Sequence, residues 1–129
     1  MDVAIHLLDE FSIEIDGRLV AASAFPRRSA VSLVKLLALT SRHRLHREQV
    51  MDALWPDAPP DHAANQLHKA AHYARQGTGV QGCVVLRNDV VRLFPEARIQ
   101  VDAMTVQALA AELAAADPAS VDPRRAESA

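Results

Sequence analysis

The chain has 129 residues, half of them hydrophobic, with 14 Lys and Arg against 16 Asp and Glu and a formal net charge of −2. That length suits one domain around one core, and with only three Phe, one Trp and one Tyr the core must be aliphatic. No apolar run is long enough for a membrane span, the N-terminus has no basic-then-apolar leader, and the lone Cys83 excludes an internal disulfide or a multi-cysteine metal site, a set of features that fits a reducing cytoplasm.

Residues 3–8 are a short apolar run and predict a strand. Phe11-Ser12-Ile13-Glu14-Ile15 alternates apolar and polar with period two and predicts a half-buried strand. Asp16-Gly17 is a tight-turn signal, so 18–20 is the returning strand of a hairpin. Residues 21–25 read as a loop closed by Pro26.

Residues 27–40 predict the first helix, with Ala30, Leu33, Val34 and Leu37 as its core stripe and Leu36 and Leu39 widening it. Ser41-Arg42-His43-Arg44 reads as a polar turn. A second helix follows over 47–54, with His46 at its N-cap and Leu45 and Val50 spaced as a hydrophobic staple. Trp55-Pro56 ends it, and Trp55 is expected as a core plug. From Arg27 to Arg47 there are six Lys or Arg and no carboxylate, so the charge is polarised along the chain despite its acidic total.

The third helix, PPDHAANQLHKAAHYARQ at 59–76, organises the rest. It starts at Pro59 or Pro60, and Gly77 and Gly79 are expected to stop it. At about 100° per residue, Ala63, Ala64, Leu67, Ala70, Ala71 and Ala74 gather on one side. Asn65, Lys69, His72 and Gln76 line the other, flanked by His68 and Arg75 on one edge and by Gln66 and Tyr73 on the opposite one. A nearly all-alanine face can sit very close to its neighbours. The far side offers amide, imidazole and ammonium groups without a carboxylate, and such groups hydrogen-bond both base edges and phosphates.

Two β-rich runs, 83–87 and 90–94, are joined by Asn88-Asp89, which tolerate positive φ and suit a two-residue hairpin. Val84, Leu86, Val91 and Leu93 can share the inner face, leaving Arg87 and Arg92 on the other, near the tip. Residues 99–101 predict one more strand, and Asp102 is placed to cap a last helix over 103–116 with the stripe Val106, Leu109 and Leu113. Residues 117–129 read as a disordered tail.

Strands, three helices and a hairpin, with a Pro-rich turn between the second and third helices, predict an α+β winged helix-turn-helix: a three-helix core, an N-terminal antiparallel β-platform and a C-terminal β-hairpin wing. The residues also carry a family resemblance. RLHREQVMDALWPDAPPDHAANQLHKAAHYAR, at 44–75, resembles the DNA-binding part of regulators that carry a bacterial transcriptional activator domain (BTAD), among them the antibiotic regulatory proteins of the SARP family and large ATP-dependent activators. Phe25-Pro26-Arg27-Arg28 is similar to the Pro-Arg-Arg start of their first helix. Residues 84–102, with a Leu-Arg-x-x-x-Val-x-Leu core and a closing Val-Asp, are similar to their wing and exit strand.

The resemblance spans roughly residues 3–105. It implies an OmpR/PhoB-type winged helix of a bacterial transcriptional activator, binding double-stranded promoter DNA as a monomer or in pairs on direct repeats, with RNA polymerase as a further partner. On this reading residues 1–103 are the DNA-binding domain, and 104–129 begin a linker to an activation domain that the chain lacks. Asn65, Lys69, His72 and Tyr73 are expected to read bases. Arg42, Arg44, Arg47, Arg75 and Gln76 are expected on phosphates. Arg87, Asn88 and Arg92 are expected at the minor groove. Metal, cofactor and catalysis are not expected: His68 and His72 have metal spacing but no third ligand on that helix, and the four scattered glycines make no phosphate loop. In the family the third helix ends in Arg-Leu-Arg-Arg, where this chain has Tyr73-Ala74-Arg75-Gln76. That departure, with the acidic total, motivates the alternative of a winged-helix interaction module that no longer binds DNA.

Overall fold

A computed structural model describes residues 1–104 of the chain as a mixed α+β fold of two small sheets and three α-helices. In chain order these are β1 (Asp2–His6), β2 (Ser12–Ile15), β3 (Arg18–Ala21), α1 (Arg28–Ala38), β4 (Arg44–His46), α2 (Arg47–Leu54), α3 (Pro60–Thr78), β5 (Val84–Arg87), β6 (Val90–Leu93) and β7 (Arg98–Val101). One sheet has the strand order β3-β2-β1-β7 and the other β4-β6-β5.

The first sheet follows from its alternation. Val3, Ile5, Ile13, Ile15, Val20 and Val101 point inward and are buried, while Glu14 and His6 face out. Asp16 and Gly17 both adopt positive φ (48° and 87°), the backbone of a two-residue hairpin that matches strand twist. The expected N-terminal antiparallel platform is present in β1, β2 and β3, and the later strand extends it. β7 joins it parallel to β1, with Val3 opposite Ile99, because the chain reaches that edge only after crossing the whole helical layer. The predicted strand over 3–8 also stops early. The Leu7 and Leu8 amides leave the ladder and donate to the Asp102 carboxylate (2.8 and 3.3 Å), which also accepts from Ala103 (2.6 Å) at the helical turn 102–104. Burial pushes the Asp102 carboxyl up, but these three donors and the neighbouring His6 outweigh it and hold the group below its ordinary value. The remainder of the predicted last helix, and the tail after it, lie outside the described residues.

In α1 the predicted stripe of Ala30, Leu33, Val34 and Leu37 is fully buried. Leu39 does not widen it: the helix ends at Ala38, and Leu39 is exposed just beyond. The turn after α1 places Arg42 and His43 at φ 61° and 55°, a costly pair for residues with a Cβ, and lets the chain drop directly into β4. That three-residue strand pairs with β6 and was read from sequence as turn and helix cap. α2 begins with reciprocal capping. His46 Nδ1 accepts from the Glu48 amide (3.2 Å), and the Gln49 side chain accepts from the His46 amide (3.1 Å). Leu45 and Val50 both pack in the core.

Trp55 is not a core plug. It is half-buried at the C-terminal end of α2 and walls a groove of about 310 Å³ with Met51, Ala58, Pro60 and Ala63, rimmed by Glu48 and Asp52. It packs against the edge of the core rather than filling it.

α3 buries Ala63, Leu67, Ala70, Ala71, Ala74 and Thr78. It runs through Gly77 and stops at Gly79, whose φ of 73° makes the left-handed cap and whose amide donates to the Arg75 carbonyl. Gly77 is thus not a stop signal but a contact point: a Cβ there would lie 2.4 Å from the Phe25 ring. Phe25 is itself buried against Phe11, with ring centroids 5.8 Å apart. Replacing Gly77 by Ala gains at most about 1 kcal/mol of helix propensity, whereas overpacking a closed site costs about 1–3 kcal/mol. Gly77→Ala is therefore expected to lower the midpoint of urea unfolding, and a raised midpoint would show that the helix does not approach Phe25 this closely.

Candidate nucleic-acid interface

The inner face of α3 and its two flanks decide which side chains stay free. One flank meets α1: the Arg27 guanidinium lies 5.7 Å from the centroid of the half-buried Tyr73 ring, and His72 stacks at a tilt against the same ring, 5.3 Å away. The other flank meets the second sheet, where the Nε–H of half-buried Arg75 donates to the Val84 carbonyl (3.0 Å). Between these flanks Asn65, Lys69, His72 and Gln76 are exposed on one continuous side. The single carboxylate of the helix, Asp61, sits in its first turn, where the helix dipole favours it.

The β5–β6 hairpin rises beside this face. Asn88 and Asp89 form its tip at φ 54° and 64°, so the two-residue turn is of the kind its sequence predicts. Arg87 and Asn88 are exposed there. Arg47, at the start of α2, is tied to the tip. Its amide donates to the Asp89 carbonyl (2.8 Å), and its guanidinium lies 3.9 Å from the Asp89 carboxylate. Arg47, His68, Leu86, Arg87 and Asn88 line a cleft of about 230 Å³ between α3 and the hairpin. Arg42 and Arg44 are exposed at and after the turn that follows α1, and half-buried Arg92 stands opposite Arg44 across the β4–β6 pair.

The predicted site residues therefore divide. Asn65, Lys69, His72, Gln76, Arg42, Arg44, Arg87 and Asn88 are exposed. Tyr73 and Arg75 are turned toward α1 and the hairpin, since the flanks of a closely seated helix are where its neighbours lie. Arg47 is partly neutralised by Asp89, and Arg92 lies away from the hairpin tip, paired with Val85 rather than with the tip residues. His68 belongs to the cleft, although sequence reasoning placed it only on the helix edge; its position four residues before His72 on the hairpin flank was the available signal. Arg27 likewise acts on Tyr73 without having been singled out for it.

Among the described residues no three His, Cys, Asp or Glu side chains group to hold a metal ion, and no helix is long and apolar enough to cross a membrane. Cys83 is buried beneath the hairpin. Burial pushes its thiol up to about 11, against the opposing pull of a Thr78 hydrogen bond and the Arg75 charge, so it stays a neutral thiol near pH ~7.

Compared with family models, with curated proteins and with solved structures, the chain finds no match in any of the three.

The different placements of Arg75 and Lys69 can be weighed by stability alone. Arg75→Ala leaves the Val84 carbonyl short of a charged donor, a loss of about 1–3 kcal/mol. Lys69→Ala removes a solvated side chain and should stay within about 0.5 kcal/mol. Equal, negligible effects of the two in urea unfolding would show that Arg75 is not anchored to the hairpin.

Proposed function

We propose that this chain is the winged-helix DNA-binding module of a bacterial transcriptional regulator, with α3 in the major groove and the β5–β6 hairpin as its wing. The observation that carries the reading is the exposed side of α3. It presents amide, ammonium and imidazole groups on a helix whose opposite side is alanine and closely seated, with a cationic hairpin tip alongside. A helix lying in the major groove points the centre of its free face at base edges, which gives Asn65, Lys69 and His72 the reading role and Gln76 a place at the groove wall. Arg42, Arg44, Arg87 and Arg92 carry no ion pair among the described residues and take the phosphates. Arg75 and Tyr73 hold the helix in place rather than touch DNA. The chain acts by binding, not catalysis, and RNA polymerase, the partner implied by the family resemblance, meets it on a surface other than the free side of α3.

A protein-docking module is the second reading. The net charge of −2 and the internal engagement of Arg47 and Arg75 favour it, because both reduce the cationic surface left for phosphates.

Selection from random duplex separates the two. With about four phosphate contacts, log K should fall against log salt with a slope of about −3 to −4. Lys69→Ala and His72→Ala should each relax preference at one base position by about 1–3 kcal/mol. No enrichment from the pool at low salt would favour the docking module.

A further inference from the structure

The outward side of the β4-β6-β5 sheet is built unlike the rest of the surface. Its register places Arg44 opposite Arg92, His46 opposite Val90, Val85 opposite Arg92 and Arg87 opposite Val90. Side chains alternate along each strand. Leu45, Val84, Leu86, Val91 and Leu93 turn to the core, so Arg44, His46, Arg87 and Arg92 share the outer side. None of the three strands contains an Asp or Glu. The nearest carboxylate in sequence, Asp89 of the turn, faces Arg47.

Directly opposed residues on neighbouring strands hold their Cβ atoms about 4.5–5.5 Å apart, and like charges there repel. Arg44 and Arg92 are such a pair, and no carboxylate among the described residues compensates them. Arg92 adds a second observation: its Nε is buried and has no acceptor among the described residues. A guanidinium with one donor shut away from water and unsatisfied is poorly solvated, and it gains more from an anion at its outer nitrogens than a fully hydrated one. Two forks carried by directly opposed residues on one side of a sheet suit the several oxygens of a phosphate.

We propose that Arg44 and Arg92 form a single phosphate-binding clamp on the outer side of this sheet, flanked by His46 and Arg87 and separate from the free side of α3. Its ligand class is a phosphate group, supplied either by a duplex backbone or by a free polyphosphate. As a backbone clamp it rests on the DNA-binding reading and narrows the phosphate role given there to Arg44 and Arg92 to one shared phosphate. As a phosphate site it stands without that reading.

The test has two arms. In the first, inorganic pyrophosphate is titrated into the isotope-labelled chain and the arginine Nε–H resonances are followed. Those of Arg44 and Arg92 should shift together and saturate, while Arg98, exposed on the other sheet, should not follow. Arg44→Gln should abolish the Arg92 response. Arg92→Lys, which keeps the charge but loses the fork, should weaken it and guards against a folding defect in Arg92→Gln. In the second arm, duplex affinity is measured against salt. Arg44→Gln and Arg92→Gln should each reduce the slope by about one, and the double variant by about one rather than two, because one phosphate is lost. Pyrophosphate binding without duplex binding would support the clamp and remove the DNA reading. Duplex binding unaffected by either substitution would overturn the backbone clamp, and pyrophosphate shifts spread evenly over all exposed arginines would overturn the phosphate site; either result leaves the DNA reading intact.

Discussion

The approach of α3 to the rest of the molecule is the constraint on which the other features depend. Its inner side is Ala63, Ala70, Ala71 and Ala74 around one large residue, Leu67, and each of these is buried. Alanines contribute little apolar area each, so the helix is held mainly by nearness of backbones and by the burial of Leu67, a side chain whose truncation in a closed core costs about 2–5 kcal/mol. Gly77 carries the same logic to its limit where the helix passes the Phe25 ring. Polar ties fix its C-terminal end: Arg75 to the Val84 carbonyl on the hairpin side, and the Arg18 guanidinium to the Thr78 carbonyl (2.7 Å) on the platform side. With its inner side and both flanks committed, the helix has one side left, and that side carries Asn65, Lys69, His72 and Gln76.

Much of this was legible because it is local. Alternation at residues 11–15, the Asp16-Gly17 and Asn88-Asp89 turns, the stripe of α1 and the phase of α3 each depend on a few neighbouring side chains and emerged as read. What was not legible depends on contacts distant in sequence. β4 is three residues long, too short for a periodic signal, and exists because β6 pairs with it. β7 runs parallel to β1 for reasons of topology that no local pattern carries. Gly77 resembles a helix stop until Phe25 is placed beside it. Trp55 resembles a core residue, yet it lies half-buried at the core's edge, walling a groove. Arg75 and Arg47 looked free because a helical wheel shows a flank but not the neighbour that occupies it.

The cations illustrate how burial sorts function from scaffold. Arg18, Arg47 and Arg75 are spent on carbonyls and a carboxylate inside the molecule, and Arg27 on the ring of Tyr73. Arg42, Arg44, Arg87 and Arg92 have no such acceptor among the described residues. These four cations lie around the hairpin and its neighbouring strand rather than along α3, where the free side holds the single ammonium of Lys69. That distribution fits a helix that discriminates and a sheet that anchors, and it is compatible with an acidic total because, among the described residues, Asp2 and Glu14 lie on the platform and Glu48 and Asp52 rim the Trp55 groove.

Mapping of backbone-amide shifts on adding a short duplex at low salt tests the central claim, that the free side of α3 is the surface that meets DNA. The account predicts the largest perturbations at Asn65, Lys69, His72 and Gln76, a second group at the hairpin tip, and quiet amides on the platform strands. Perturbations centred on the Trp55 groove or the platform, with α3 unmoved, would contradict it.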